Sequence, residues 1–183
     1  MLPFQLLCQQ DTSRSKLHFE ADFRFRIEQD WNSRMQDGTF RDDRTRFRYR
    51  LRFGTQFEDK VYTVGFRVRT GNPRKQQDPQ LTLGDSFKEF GTLPIGLEKA
   101  FFQAKWDPFE FWIGKNTFPF EKSNELFWSD NVFPEGIFLS KKFTFDSTFM
   151  DYLCFNAGHF IMSASGKSID LDNYVQGYQI NMS

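Results

Sequence analysis

An all-β fold, an antiparallel up-and-down β-barrel of the transmembrane kind, is predicted by three observations. Side chains alternate between apolar and ionic over stretches of about ten residues, the pattern of a strand with lipid on one side and water on the other. The apolar positions are chiefly aromatic, with 25 phenylalanines among 183 residues, which suits lipid contact better than an aliphatic core. The connections between the alternating stretches are long and short by turns.

The alternation is strictest near the start. From 17 to 27, Leu17, Phe19, Ala21, Phe23, Phe25 and Ile27 occupy one side, and His18, Glu20, Asp22, Arg24 and Arg26 the other, with Glu28 continuing the ionic series. From 44 to 53, Arg44, Arg46, Arg48, Arg50 and Arg52 face one way, and Thr45, Phe47, Tyr49, Leu51 and Phe53 the other. Successive side chains of a strand point to opposite faces, so each stretch is a strand with one apolar and one ionic face. A row of arginines needs partners, and a hairpin through 32–43 sets Glu28 opposite Arg46 or Arg48 and Asp22 opposite Arg52.

Further strands follow at 62–69, where Tyr62, Val64, Phe66 and Val68 alternate with Thr63, Gly65, Arg67 and Arg69, and at 99–106. The segments 109–115, 136–145, 151–163 and 174–182 complete eight strands, with no helix. A soluble sheet with one wet face alternates too. Uniformity along the chain and the aromatic bulk of the apolar side favour the membrane.

The connections carry the same message. Residues 32–43 are a long link, 58–60 a short one, 71–96 long, 107–108 short, 116–135 long, 146–150 short and 164–173 long. In a meander, odd and even connections emerge on opposite sides, so this rhythm sorts all long loops to one side. Outer-membrane barrels have short inner turns and long outer loops. Loops beyond about 12–15 residues are uncommon unless they have a function.

Composition excludes other classes. Lys plus Arg equal Asp plus Glu at 24 each, so no whole-molecule attraction to nucleic acid is expected, and the acidic strand beside the arginines argues against a nucleic-acid partner. A spanning helix needs about 20 consecutive apolar residues, and no window offers them. Cys8 and Cys154 are too few and too far apart for a disulfide framework; Cys154 reads as a small apolar strand residue. The residues Leu6-Leu7-Cys8 lack the small side chains of a lipid-acylation site. His18 and His159 are the two imidazoles, with no nucleophile elbow, phosphate loop or zinc spacing around them. The expectation is therefore no enzyme, no metal and no cofactor.

Within 109–138, FEFWIGKNTFPFEKSNELFWSDNVFPEGIF, a strand ends in Gly114-Lys115, a Pro119-Phe120 step follows, and a loop runs through Leu126-Phe127-Trp128-Ser129-Asp130-Asn131 to Pro134-Glu135-Gly136. These elements resemble a bacterial outer-membrane putative porin family, and the run from Gly65 through Arg67, Arg69, Gly71 and Asn72 to Pro73 is similar to it as well. The likeness extends from about Leu17 to the C-terminus. It implies a passive, water-filled channel in the bacterial outer membrane, contacting outer-membrane lipid and passing small polar solutes or ions. It also implies a barrel larger than eight strands can build, because eight closed strands leave room only for side chains whereas about sixteen leave an aqueous lumen. With no export signal in 1–16 and Ser183 in place of a closing aromatic, the reading is a leader-like remnant at 1–16 and an N-terminal part of a barrel at 17–183, incomplete at its C-terminus. A homo-oligomer such as a trimer is left open.

On this reading Arg44, Arg46, Arg48, Arg50, Arg52, Arg67, Arg69, Lys99 and Lys105 line the pore. The long loop 116–135 carries Glu121, Glu125, Asp130 and Glu135 among Phe118, Phe120, Phe127 and Trp128. So aromatic a loop is expected to fold into the lumen and set a carboxylate edge against the arginines, giving a transverse field that favours polar solutes. The rivals are a non-conducting structural or adhesive barrel and a soluble β-barrel ligand carrier, the latter demanding apolar residues inside.

Overall fold

A computed structural model describes residues 15–84, 93–122, 124, 126–146, 150–164 and 172–183. The chain is an antiparallel meander of β1 (Lys16–Asp30), β2 (Arg44–Glu58), β3 (Tyr62–Thr70), β4 (Leu81–Thr82), β5 (Ile95–Trp106), β6 (Phe109–Lys115), β7 (Glu135–Thr144), β8 (Tyr152–Ser163) and β9 (Asn173–Met182). The sheet order is β1-β2-β3-β5-β6-β7-β8-β9, with β4 paired to β2. Among the described residues β1 and β9 are free edges, and the sheet does not close on itself.

The eight expected strands are present, and the short β4 is an addition. β3 covers β2 only from Arg52 to Glu58, and β4 pairs with Arg48 and Tyr49 in the place β3 leaves open. Alternation could not reveal it, because a two-residue ribbon has no period. The first hairpin has the expected register, with Glu28 opposite Arg46 and Asp22 opposite Arg52.

One face is apolar from edge to edge. Phe23, Phe25 and Ile27 on β1, Leu51 and Phe53 on β2, Val64 and Phe66 on β3, Phe102 on β5, Ile113 on β6, Leu139 on β7, Phe155 on β8 and Ile180 on β9 are all exposed there. Soluble monomers rarely expose contiguous apolar patches above roughly a few hundred Å², and this one crosses every long strand. At the short-turn ends Phe57, Tyr62 and Phe102 line up ring to ring, Trp106 meets Phe109, and the Lys141 ammonium lies over the rings of Phe109 and Phe143. Aromatic rings and a long cation at that level form the kind of girdle found at a bilayer interface.

Candidate polar face and its covering loop

All nine expected wall residues point to the other face, and the pairing that holds them comes mainly from β1. Arg44 Nε lies 2.7 Å from Asp30, and Arg46 lies 3.0 Å from Glu28 and 3.2 Å from Asp30. Arg48 reaches Asp78 at 2.8 Å and Glu28 at 3.4 Å, and Arg50 pairs with Asp22. Lys105 sits 3.4 Å from Glu110. Arg69, 3% exposed, donates instead to the carbonyl oxygens of Thr70, Asn72 and Lys75 at 3.0, 3.3 and 2.9 Å, fixing the start of the following loop.

The centre of this network is Glu98. Expected to begin near residue 99, β5 in fact begins at Ile95, and its pairing with β3 shifts register between Arg67 and Val68. The irregularity places Glu98 on the polar face beside Lys99. There the carboxylate is 1% exposed, with Oε1 2.9 Å from Arg52 Nη2 and Oε2 2.6 Å from Arg67 Nε. Arg67 also lies 3.3 Å from Glu20. A bulge redirects a side chain locally, and a strict two-residue period cannot foresee that.

Residues 116–122, 124 and 126–134 lie across the polar face. Phe118 and Phe120 pack on a buried cluster of Trp112, Phe138 and Phe160, with Trp112 and Phe160 stacked at 5.9 Å and Phe118 and Trp128 stacked at 4.2 Å. Phe120 stands edge-on to Phe138 and Phe160. It fits because Gly158 and Gly177, directly opposite each other on β8 and β9, leave a slot. A Cβ on Gly177 would come within 2.6 Å of the Phe120 ring and one on Gly158 within 3.1 Å of it.

The loop is tied at both sides of the sheet. The Glu121 N–H donates to Gln179 on β9 and Gln179 donates back to the Glu121 carbonyl, each at 2.9 Å. At the far side Arg52 donates to Asn131 Oδ1 at 2.9 Å, and the Phe133 N–H donates to Gln76 at 2.8 Å. The Phe133 ring lies under the Arg67 guanidinium and the Lys99 ammonium, 5.3 and 5.5 Å away.

The expected carboxylate edge takes a different form. Asp130 pairs with Lys122, and Glu135 lies 2.5 Å from Lys115; Glu121 is anchored through its main chain, and Glu125 lies outside the described residues. The loop meets the wall through Asn131 and Phe133, while the arginines take their carboxylates from β1, Asp78 and Glu98. The remaining correction is Cys154, which lies on the polar face with its sulfur 3.1 Å from Ser140 Oγ, in register with Lys142 and Asn181. Toward the short turns, Gln103, Tyr152, Asn156 and Asn181 line an open hollow of about 580 Å³ that Asn116 borders from the long-loop side.

An unbroken antiparallel meander, apolar on one face and ion-paired under a folded loop on the other, defines the porin-like β-barrel class. A family model described as Putative porin matches residues 38–180, and the chain belongs to that family. No curated protein and no solved structure matches the chain.

Proposed function

We propose that the sheet is a length of wall of an outer-membrane channel, a water-filled barrel of about sixteen strands through which small hydrophilic solutes or ions diffuse passively. The observation that carries this reading is the separation of the two faces. Exposed aromatic and aliphatic side chains on every long strand call for lipid, and ionised side chains on the opposite face call for water. Closure at eight strands would leave space only for side chains, and here the polar face already holds residues 116–134. The face therefore needs a wider barrel to border a lumen.

In this reading the loop narrows the lumen beside the arginines, and its ties to Gln179 and Arg52 hold it there. The test is conductance in a planar bilayer of the refolded chain and, in parallel, of the longest reading frame that contains it. Stepwise, salt-dependent currents from the longer chain support the channel. A chain that folds as a monomer without detergent, with neither form conducting, contradicts it and favours a soluble β-domain.

A further inference from the structure

We propose that Arg24, Arg26, Arg48 and Arg50 form a binding station for a small oxyanion, a carboxylate or phosphate, half-way along the first hairpin. Its role in transit rests on the channel reading above, whereas its capacity to bind does not.

The register singles the four residues out. At either end of the hairpin acids face bases: Asp30 is opposite Arg44, Glu28 opposite Arg46 and Asp22 opposite Arg52. In the middle the pattern breaks, with Arg26 opposite Arg48 and Arg24 opposite Arg50. Like charges directly opposite on an antiparallel pair destabilise it. A wall built for neutrality would have continued the acid-base ladder.

Compensation is incomplete at the same place. Three of the four guanidiniums, those of Arg26, Arg48 and Arg50, draw on Asp22, Glu28 and Asp78. Two of these are shared outward, Asp22 with Arg52 and Glu28 with Arg46. Among the described residues no carboxylate lies within ion-pair distance of Arg24, which is exposed. The Arg26 side chain is 41% exposed, against 15% for Arg48 and 8% for Arg50. Two seated guanidiniums thus back two that reach into water.

The chemistry follows from the fork of the guanidinium. It is charged at any relevant pH and offers parallel N–H donors that match the two oxygens of a carboxylate or phosphate. An oxyanion on Arg24 and Arg26 supplies the negative charge that the middle of the ladder lacks.

Calorimetric titration of the refolded chain, in an uncharged, phosphate-free detergent at low salt, reads the site without conduction. Inorganic phosphate and citrate are the probes, each titrated separately. Saturable binding of either is expected, weakened at least about tenfold in Arg24→Gln and in Arg26→Gln, the weight of one charge-assisted hydrogen bond. Lys141→Gln, which removes a cation from the apolar face, is expected to leave it unchanged. Strand content by circular dichroism confirms that each variant is folded. No saturable binding, binding indifferent to both arginine variants, or an equal loss in Lys141→Gln overturns the proposal. Binding by this chain together with no current from the longest reading frame that contains it removes the channel reading instead.

Discussion

The two ends of the sheet fill the same polar face with opposite materials. On β1, β2 and β3 it is ionic: guanidiniums interleave with Glu28, Asp22, Glu20 and the buried Glu98. On β6, β7 and β8 its half toward the long loops is aromatic, with Trp112, Phe138 and Phe160 buried beneath Phe118 and Phe120. The apolar face is nearly uniform throughout, so the difference lies wholly on the polar side. The aromatic end seats the loop, and the loop reaches across to the ionic end through Asn131 and Phe133.

Substitutions at the two ends should therefore fail in different ways. The largest effect is expected from Glu98→Ala, which leaves Arg52 and Arg67 without their buried carboxylate. Removing one partner of a buried ion pair costs about 3–5 kcal/mol, read as a lowered urea midpoint in detergent micelles. A loss below about 1 kcal/mol would show that water already screens the cluster.

At the aromatic end Phe160→Ala is expected to cost about 3 kcal/mol through the cavity it leaves. It should also release residues 116–134, seen as faster protease cleavage there, whereas Glu98→Ala should leave the Gln179 tie intact. Equal cleavage in the two variants would mean that the ends are not independent. Gly177→Val, which fills the slot of Phe120, comes next at about 1–3 kcal/mol. It sharpens the comparison because the ion ladder is untouched. Loop release without loss of anion binding is the expected result.

These contrasts also explain what the sequence discloses. The ionic end is legible because apolar and charged side chains alternate with few exceptions, which gives the strands, their faces and the register of the first hairpin. At the aromatic end the strands are legible but their faces are not, because Trp112 lies between Phe111 and Ile113, and Phe160 beside Ile161. With both faces apolar, hydropathy alone does not tell lipid from loop. The aromatic content of 116–135 is the signal that those inward rings have a cover. Glu98 escapes for another reason: a bulge breaks the period of two at the very residue that matters, and only the backbone pairing reveals it.

The smallest expected effect lies outside the wall. The Thr39 hydroxyl, and then its N–H, hold the exposed Asp37 carboxyl below the usual carboxylate range. A lowered carboxyl stabilises its turn above the ordinary value and loses that contribution as pH falls through the lowered one. The Thr39 amide resonance should thus move at a pH below that at which free aspartate titrates. The rest of the sheet should not respond with it.

The account stands on which face of the sheet meets lipid, and β1 tests this most directly because its side chains on both faces are largely exposed. Single cysteines are placed at 23, 24, 25, 26 and 27 in a chain with Cys8 and Cys154 replaced by serine, labelled with a fluorophore and reconstituted into vesicles. Labels at 23, 25 and 27 should be quenched by brominated acyl chains, and labels at 24 and 26 by aqueous iodide. Quenching without alternation, or with the two quenchers exchanged, would contradict the account.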